Sequence, residues 1–235
     1  MACVPTARER VRAELTAEIA DAARRQLAEV GAAALSLRAV AREVGMVSSA
    51  VYRYFASRDE LLTRLIIDGY DAVGAAVEAA DDPAASPEER WTAVCTAVRD
   101  WARAHPHEYA LLYGSPVPGY AAPRTTIGPA SRVGEVLCRI AADGVAVGAI
   151  DAGPDGTGAD LALHPGIAAR MGLPDPSPST SLAARAIFAW TALFGMIGFE
   201  LFGHTRNVVD DHRAYFDDAV DRLATSLGVL DPATP

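Results

Sequence analysis

The sequence contains no lysine: all 21 of its basic residues are arginine, and they stand against 30 acidic residues for a formal net charge of -9. Cysteine is scarce, and its three residues are scattered (Cys3, Cys95 and Cys138), which fits reduced thiols and neither a disulfide framework nor a zinc site. No apolar run reaches the roughly 18 residues that span a bilayer, because Arg185, Thr191 and Glu200 interrupt the nearest candidate, residues 183–202. The N-terminus lacks the apolar core of a signal peptide. These absences predict a cytoplasmic protein with no membrane partner.

The negative charge is unevenly distributed along the chain. Residues 1–64 carry 10 arginines against 8 acidic residues, a balance of +2, whereas residues 65–235 carry 11 arginines against 22 acidic residues, a balance of -11. The charge of the whole chain argues against a nucleic-acid partner, but a small, locally basic N-terminal module on an acidic body stays compatible with one.

Apolar residues recur at helical intervals, and we find neither a strand pattern nor an internal repeat. The pattern predicts a first helix over about 6–29 that ends at Gly31. Ser36 is predicted to cap a short second helix that Gly45 ends, and a third segment covers 48–55. A helix, a glycine-containing turn and a second helix within twenty residues have the spacing of a helix-turn-helix.

The rest of the chain is also predicted to be helical. Ser57–Glu60 has the pattern of a capping box that opens a long helix to about Ala80, and Ser86–Glu89 has the same pattern. Further helices are predicted over about 86–105, 106–113, 129–142, 181–202 and 210–227, with a non-helical segment at 115–123. Residues 143–181 are rich in glycine and proline, which predicts a long loop with at most one short helix near 167–171.

The sequence of residues 31–65 points to one protein family, which helical periodicity alone would not do. The runs 34–45, 50–55 and 57–62 closely resemble the N-terminal domain of the tetracycline-repressor (TetR) family, and the resemblance covers roughly residues 8–68. It implies an all-α fold, with an N-terminal three-helix helix-turn-helix head and a C-terminal helical ligand-binding and dimerisation domain. We therefore expect a DNA-binding domain over 1–56, linked through a long helix over 57–80, and an effector-binding and dimerisation domain over 57–235.

The resemblance implies that residues 48–54 form the recognition helix in the major groove, while residues of the preceding helix meet the DNA backbone. The short side chains at the start of the recognition helix let it approach the base edges. The hydroxyl and guanidinium groups later in the sequence are expected to reach the phosphates. The predicted DNA-contacting residues are Ser36, Arg38, Ser48, Ser49, Ala50, Tyr52, Arg53, Tyr54 and Arg58. Val47 stands where the family usually has a capping hydroxyl. Either Ser48 caps a helix that starts one residue later, or the helix begins weakly capped at a cost of about 1 kcal/mol.

The second half carries a further resemblance. The run from Phe188 to His204, with the aromatic residues of 101–123, resembles the C-terminal domain named after its Trp, His and Gly (WHG-type). Its aromatic and polar side chains are predicted to line a pocket for a small apolar effector, and an ordinary aromatic core is the alternative. The predicted ligand-binding residues are Trp101, His105, Tyr109, Tyr113, Tyr120, Trp190, Phe194 and Glu200. Glu200 lies in an apolar run, which predicts a partner such as Arg or His, a ligand, or the dimer mate.

Enzymatic and metal-binding patterns are missing from the sequence. The run His105-Pro106-His107-Glu108 contains metal-ligating types, but the proline breaks the helical register and no third or fourth ligand is indicated. There is no Ser-His-Asp order, nucleophile elbow or phosphate-binding glycine loop. We therefore expect no metal, no cofactor and no catalysis.

Together these features predict a homodimeric transcriptional repressor that binds a palindromic, double-stranded operator and is released by a small apolar effector. The helices from Ser181 and Asp210 are the predicted dimer faces. Two alternatives stay open: a ligand-independent or protein-controlled DNA-binding regulator, and a small-molecule carrier or enzyme with a vestigial head.

Overall fold

The computed structural model describes residues 6–151 and 179–229. Within these ranges the chain forms nine α-helices and one short 3-10 helix, Arg124–Thr126. The helices are α1 (Ala7–Ala34), α2 (Leu37–Glu43), α3 (Ser48–Val51), α4 (Arg58–Ala80), α5 (Pro87–Ala104), α6 (Pro106–Tyr113), α7 (Ile127–Ala146), α8 (Ser179–Leu201) and α9 (His212–Leu227). The predicted all-α fold is confirmed. The described residues contain no strand, only an isolated bridge between Ile150 and Val229.

The chain divides into two compact units. The first unit combines residues Met1–Tyr70 with His105–Ile127, and the second combines Asp71–Ala104 with Gly128–Pro235. Helix α4 therefore belongs to both units, and α6 belongs to the first although it follows α5 in sequence. The boundary predicted after residue 56 falls inside the first unit.

The first unit is built around one apolar core. Its buried members come from α1, α2, α3 and the first part of α4, together with the short links between them: Ile19, Ala20, Ala22, Ala23, Leu35, Leu37, Val40, Ala41, Val51, Phe55, Leu61, Leu62 and Leu65. Leu111, Val117 and Tyr120 pack against this core from α6 and the segment that follows it. The three-helix head is therefore completed by residues that lie far from it in the sequence.

Helix ends in the first unit follow local hydrogen-bonding rules, with two departures from the predicted pattern. Helix α1 continues to Ala34 across a break at Gly31, whose φ of 73° is in the left-handed region that favours glycine. At the start of α4 the amide of Glu60 donates to Ser57 Oγ at 3.1 Å, as predicted. The Glu60 carboxylate, however, accepts from the amide of Ala56 at 2.6 Å and not from that of Ser57.

In the second unit, α5 packs against α8 and α9. The indole Nε1 of Trp91 donates to the carbonyl of Val220 at 3.2 Å, which ties α5 to α9. Arg90 and Asp81 form a buried ion pair at 2.7 Å. Burial acts to raise the pKa of Asp81, but the hydrogen bonds and charges of Arg90 and Arg139 outweigh it, so the pKa is lowered and the carboxylate stays ionised.

Helix boundaries in the second unit differ slightly from the predicted ones. Helix α7 extends to Ala146, and the predicted short helix near 167–171 lies outside the described residues. By length and composition, residues Leu182–Leu201 of α8 would suffice to cross a membrane, yet 44% of that stretch is buried inside the fold. Core helices of globular proteins pass the same length and composition test, so these two features do not indicate a membrane span.

Candidate nucleic-acid interface

Helix α2 has one buried face and one exposed face. Leu37, Val40 and Ala41 are buried in the core of the first unit, whereas Arg38 and Arg42 are exposed. Because four residues make slightly more than one helical turn, these two arginines lie on the same side of α2, away from the core.

A tight turn joins α2 to α3. Gly45 adopts a φ of 69°, and the amide of Met46 donates to the carbonyl of Ala41 at 2.8 Å. Hydrogen bonds of this kind end a helix on a left-handed glycine. The turn redirects the chain so that Val51 of α3 is buried against the same core as α2.

The regular part of the recognition helix is shorter than predicted. Helix α3 covers Ser48–Val51, and the chain continues as a turn through Tyr54. Val47 is its N-cap residue and supplies no side-chain bond, so the helix begins weakly capped. Ser36 occupies the N-cap position of α2, but the prediction that its hydroxyl caps the helix is wrong, because the side chain makes no capping bond.

The serine hydroxyls of this region make no hydrogen bond to the described residues. Within the described part of the chain, the side chains of Ser36, Ser48 and Ser49 have no protein partner, and Ser49 is exposed. A hydroxyl that is free in the protein can donate to a phosphate oxygen or to a base edge at no internal cost. Tyr52, which is 47% exposed, and Arg53 extend this free polar surface beyond the end of α3.

Arginines of the first unit fall into two groups. Arg24 pairs with Asp21 and, at 2.6 Å, with Asp68; Arg64 pairs with Asp68 at 2.7 Å; and Arg25 pairs with Glu43. Arg38, Arg42 and Arg53, by contrast, have no carboxylate within 4.0 Å among residues 6–151 and 179–229. Arg8, Arg10 and Arg12 of α1 and Arg124 also make no ion pair among these residues. The unpaired arginines of the first unit therefore include those of α2 and the end of α3.

Arg58 has an internal role. Its guanidinium donates to the carbonyls of Ala32 at 2.7 Å, Ala33 at 3.1 Å and Leu35 at 3.2 Å. These carbonyls belong to the end of α1, where a helix leaves acceptors without intrahelical partners. Arg58 was predicted to meet phosphates, but most of its hydrogen-bonding capacity serves this helix end, which places it last among the candidate DNA contacts.

The sequence patterns did not identify Arg12 as part of this surface. Its Nη2 donates to the carbonyl of Arg53 at 3.1 Å, and its guanidinium lies 5.3 Å from the centre of the Tyr54 ring. The N-terminal part of α1 therefore supports the end of α3 and brings another cation to it. No sequence signal connects residues 41 positions apart, so only the fold reveals this contact.

The residues predicted to bind an effector are divided between the two units. His105, Tyr109, Tyr113 and Tyr120 belong to the first unit, and Trp101, Trp190, Phe194 and Glu200 belong to the second.

The tyrosines of the first unit serve its packing. The rings of Tyr109 and Tyr113 lie 5.0 Å apart, Tyr70 meets Tyr113 edge-on at 5.8 Å, and the hydroxyls of Tyr120 and Thr63 are 2.9 Å apart. Burial raises the pKa values of Tyr70 and Tyr113, so both hydroxyls stay protonated. These contacts fasten α6 and the following segment to α4 within the unit.

Trp101 and Phe194 are buried in the second unit, and Trp190 is 40% exposed with its ring 6.0 Å from that of Phe194. Glu200 meets Arg99 through two hydrogen bonds of 2.8 Å each, so the partner expected for this acid is an arginine. A cavity of about 270 Å³ lies between α8 and α9. Of the predicted ligand-binding residues only Glu200 lines it, together with Gly195, Met196, Phe199, Thr205, His212, Tyr215 and Phe216.

Side chains of metal-ligating type do not come together among the described residues. In residues 6–151 and 179–229 no group of three or more His, Cys, Asp or Glu side chains is placed to hold a metal ion. His105 precedes α6 and His107 lies in its first turn, and both are exposed.

Comparison with known families agrees with this geometry. Residues 19–65, which contain α2, α3 and the turn between them, match the family described as bacterial regulatory proteins, tetR family. Residues 91–223 match the family described as tetracyclin repressor-like, C-terminal domain. The chain belongs to the tetracycline-repressor (TetR) family. The helix-turn-helix of this TetR-family protein is therefore its DNA-binding element, and the chain is a DNA-binding transcriptional regulator.

Relatives match over almost the whole TetR-family chain. It is 39% identical over 230 residues to the HTH-type transcriptional regulator Rv1816 of Mycobacterium tuberculosis (strain ATCC 25618 / H37Rv) and to Mb1846 of Mycobacterium bovis, with 94% of each chain covered. The crystal structure of the regulatory protein SCO4313 is 32% identical, with a TM-score of 0.74, and the match covers 94% of this chain and 100% of that one. A tetR-family regulatory protein from Rhodococcus RHA1, 19% identical with a TM-score of 0.64 over 92% of this chain and 98% of that one, shares the fold.

Replacing Arg58 with alanine should destabilise the TetR-type head by about 2 kcal/mol, because three carbonyls lose a charged donor. Thermal unfolding of the full chain measures this loss. The matched control is Arg38→Ala, which removes an exposed arginine without an ion pair and should change stability by less than about 0.5 kcal/mol. Unchanged stability of Arg58→Ala together with lost DNA affinity would show instead that Arg58 is a phosphate contact.

Proposed function

We propose that this TetR-family regulator is a homodimeric, cytoplasmic repressor that binds a palindromic operator and is released by a small apolar effector. The observation that carries the DNA-binding part is the distribution of arginine charge. Arg38, Arg42 and Arg53 lack carboxylate partners among the described residues, and the free hydroxyls of α2 and α3 lie on the same segment. Unpaired guanidinium groups beside hydroxyl donors suit contacts to phosphates and guanine edges.

Helix α8 supports the homodimer. Phe188 and Phe199 are exposed on α8, and Tyr215 is exposed on α9. At about 100° per residue, Phe188 and Phe199 lie within about 20° of each other around α8, and Gly195 lies between them on the same side. Large apolar side chains aligned on an exposed face favour burial against a second copy. A two-fold dimer also supplies two reading heads for two half-sites.

The other side of α8 supports the effector site. Trp190 follows Phe188 by two residues, which places it about 200° away around the helix. It is half-exposed and meets the buried Phe194 edge-on, so an aromatic surface is available on the side of α8 opposite to the proposed dimer face. An apolar compound that covers Trp190 would gain hydrophobic burial without competing for the dimer contact.

Release from DNA follows from a difference in affinity between two states. An effector that binds better to the state unable to engage both half-sites shifts the population away from DNA by that difference. Helix α4 extends through both units and so provides a continuous element through which they are joined.

The DNA face is tested with the double variant Arg38→Ala/Tyr52→Ala. Fluorescence anisotropy with the intergenic DNA beside the gene should show affinity reduced by at least about 100-fold, since charged hydrogen bonds are lost in both half-sites. The dependence of the logarithm of affinity on the logarithm of salt concentration should also become shallower, by about one unit per lost phosphate contact.

The matched control for this surface is Arg222→Ala, which removes an exposed arginine from α9 and should leave DNA affinity unchanged. Circular dichroism and light scattering serve to check that both variants keep their helicity and oligomeric state. Wild-type affinity in the double variant would place the recognition surface elsewhere, and no binding by the parent chain at low salt would contradict the regulator proposal for that DNA.

The dimer face is tested with Phe199→Arg. A charge on the exposed stripe of α8 should convert a dimer to a monomer at micromolar concentration, because an unpaired arginine would be buried in the interface. Size-exclusion chromatography with light scattering measures the change. Val147→Arg, at an exposed apolar position after α7, should remain dimeric. A dimeric Phe199→Arg variant would exclude this face.

The effector site is tested by a thermal-shift screen of apolar compounds. A compound at about 100 times its dissociation constant stabilises the bound state by about 2.7 kcal/mol, which raises the melting temperature measurably. Trp190→Ala should abolish that shift, whereas Val208→Ala, at another exposed apolar position, should retain it. Hits that shift Trp190→Ala as strongly as the parent would remove Trp190 from the site.

A further inference from the structure

A second cavity, of about 390 Å³, lies where the ends of α5 and α8, the turn after α8 and the start of α9 meet. Arginines dominate its lining: Arg99, Arg103, Arg206 and Arg213 surround it, with His212, Glu200, Leu201 and Gly203 as the other lining residues. Four guanidinium groups therefore face one carboxylate. This is unexpected in a region whose overall balance is -11 over residues 65–235.

Two of the four guanidinium groups are already neutralised. Arg99 is held by Glu200 through a bidentate ion pair, and its side chain is only 2% exposed. Arg213 Nε lies 2.9 Å from Asp217 Oδ2 one turn further along α9. These two arginines build the cavity wall, and neither requires a further anion.

The other two guanidinium groups make no hydrogen-bonded ion pair among the described residues. Arg103 Nε lies 3.9 Å from Glu200 Oε1, which is beyond hydrogen-bonding distance, and Glu200 is already engaged by Arg99. Arg206 has no carboxylate within 4.0 Å anywhere in residues 6–151 and 179–229, and its backbone amide, not its guanidinium, bonds to Gly203. Both side chains are exposed on the cavity side.

Nearby acids do not compensate these charges. The Asp211 carboxylate caps α9 by accepting from the amides of Arg213 at 2.9 Å and Ala214 at 3.0 Å. Those bonds lower the pKa of Asp211, so it is ionised but engaged. Asp100 on α5 is exposed and makes no ion pair within the described residues. Neither acid lines the cavity.

The backbone of the turn after α8 brings Arg206 and His212 to the cavity. Gly203 has a φ of 76°, which lies in the left-handed region, so glycine permits the turn. A β-carbon placed on it would lie in ordinary van der Waals contact with Nη2 of Arg206, at 3.7 Å, so the turn runs beside this guanidinium. Thr205 Oγ1 lies 3.0 Å from His212 Nε2, which fixes the imidazole ring at the cavity edge.

We propose that this cavity binds a small molecule through an oxyanion, either a carboxylate or a phosphate, with Arg103 and Arg206 as its primary ligand-binding residues. Guanidinium groups match the two oxygens of such anions and bind them through paired hydrogen bonds. The Arg99–Glu200 pair forms the floor of the site, and His212 lies at its edge. The site is separate from the Trp190 surface, and its test does not require DNA binding.

The test is calorimetric titration of the full chain at constant ionic strength, with chloride as the balancing anion. The probes are inorganic phosphate, succinate and benzoate, with benzamide as the neutral counterpart of benzoate. At least one oxyanion probe should bind saturably and benzamide should not. Binding of phosphate alone identifies a phosphate site, and binding of succinate or benzoate identifies a carboxylate site.

Variants at the two unpaired arginines make the test specific. Arg103→Gln and Arg206→Gln should each weaken binding by about tenfold, because each removes a charged hydrogen-bond donor. Arg222→Gln, an exposed arginine on α9 that pairs with Asp218 outside the cavity, should bind like the parent.

If Arg103 and Arg206 only stabilised the fold, replacing them would lower the unfolding temperature of the ligand-free protein. The proposal predicts that it does not. Without ligand, Arg103→Gln and Arg206→Gln should unfold near the parental temperature, since each removes an exposed arginine that makes no hydrogen-bonded ion pair. Arg99→Gln should unfold at a lower temperature, since it leaves Glu200 without its partner. The proposal is overturned if none of the three oxyanions binds saturably, or if the Arg103→Gln/Arg206→Gln double variant binds as tightly as the parent.

Discussion

The buried ion pair between Arg99 and Glu200 holds together three helices of the second unit. Two hydrogen bonds of 2.8 Å join α5 to α8, and the Arg99 guanidinium lies 5.0 Å from the centre of the Phe216 ring on α9. Arg99 is 2% exposed and Glu200 16% exposed, so removing either partner would cost more stability than the loss of an exposed surface pair, which contributes little. Glu200 lines both cavities, and Arg99 lines the second. The packing of these helices and the polarity of the space between them therefore depend in part on this contact.

The absence of lysine gives arginine two separate uses in this protein. Some arginines join parts of the fold: Arg58 binds three carbonyls, and Arg24 and Arg64 both pair with Asp68. A planar guanidinium with five donors can satisfy several acceptors at once, which an ammonium group does less well. Asp21, Glu43 and Asp59 of the head pair with arginines, whereas Arg38, Arg42 and Arg53 make no ion pair among the described residues. The charge relevant to DNA is therefore set by where the unpaired arginines lie and not by the sum over the domain.

Local chemistry explains which parts of the fold were predictable from sequence. The helix-turn-helix, the left-handed Gly45 and the capping box of Ser86 and Glu89 depend on residues within a few positions of one another, and all three are present. Other features depend on residues that lie 23 or more positions apart in the sequence. These are the partners of Arg58, the contact of Arg12 with Arg53 and the place of α6 in the first unit. Composition and periodicity carry no information about such pairings. The aromatic residues from 101 to 120 were grouped by type in the sequence, and the fold divides them between two units.

The two units are connected at three points along the chain. The chain passes from one compact unit to the other after Tyr70, Ala104 and Ile127, and the first of these crossings lies inside the continuous helix α4.

Helix α6 is fixed within the first unit by close packing. A β-carbon at Gly69 would lie 3.2 Å from Leu112, and the hydroxyl of Tyr120, in the segment that follows α6, lies 2.9 Å from that of Thr63 on α4. Because this packing leaves little free space, a displacement of α6 must move α4 with it or break the packing. Coupling between a regulatory site and a DNA-binding surface requires elements that move as a body, and the packing of α6 on α4 has that property.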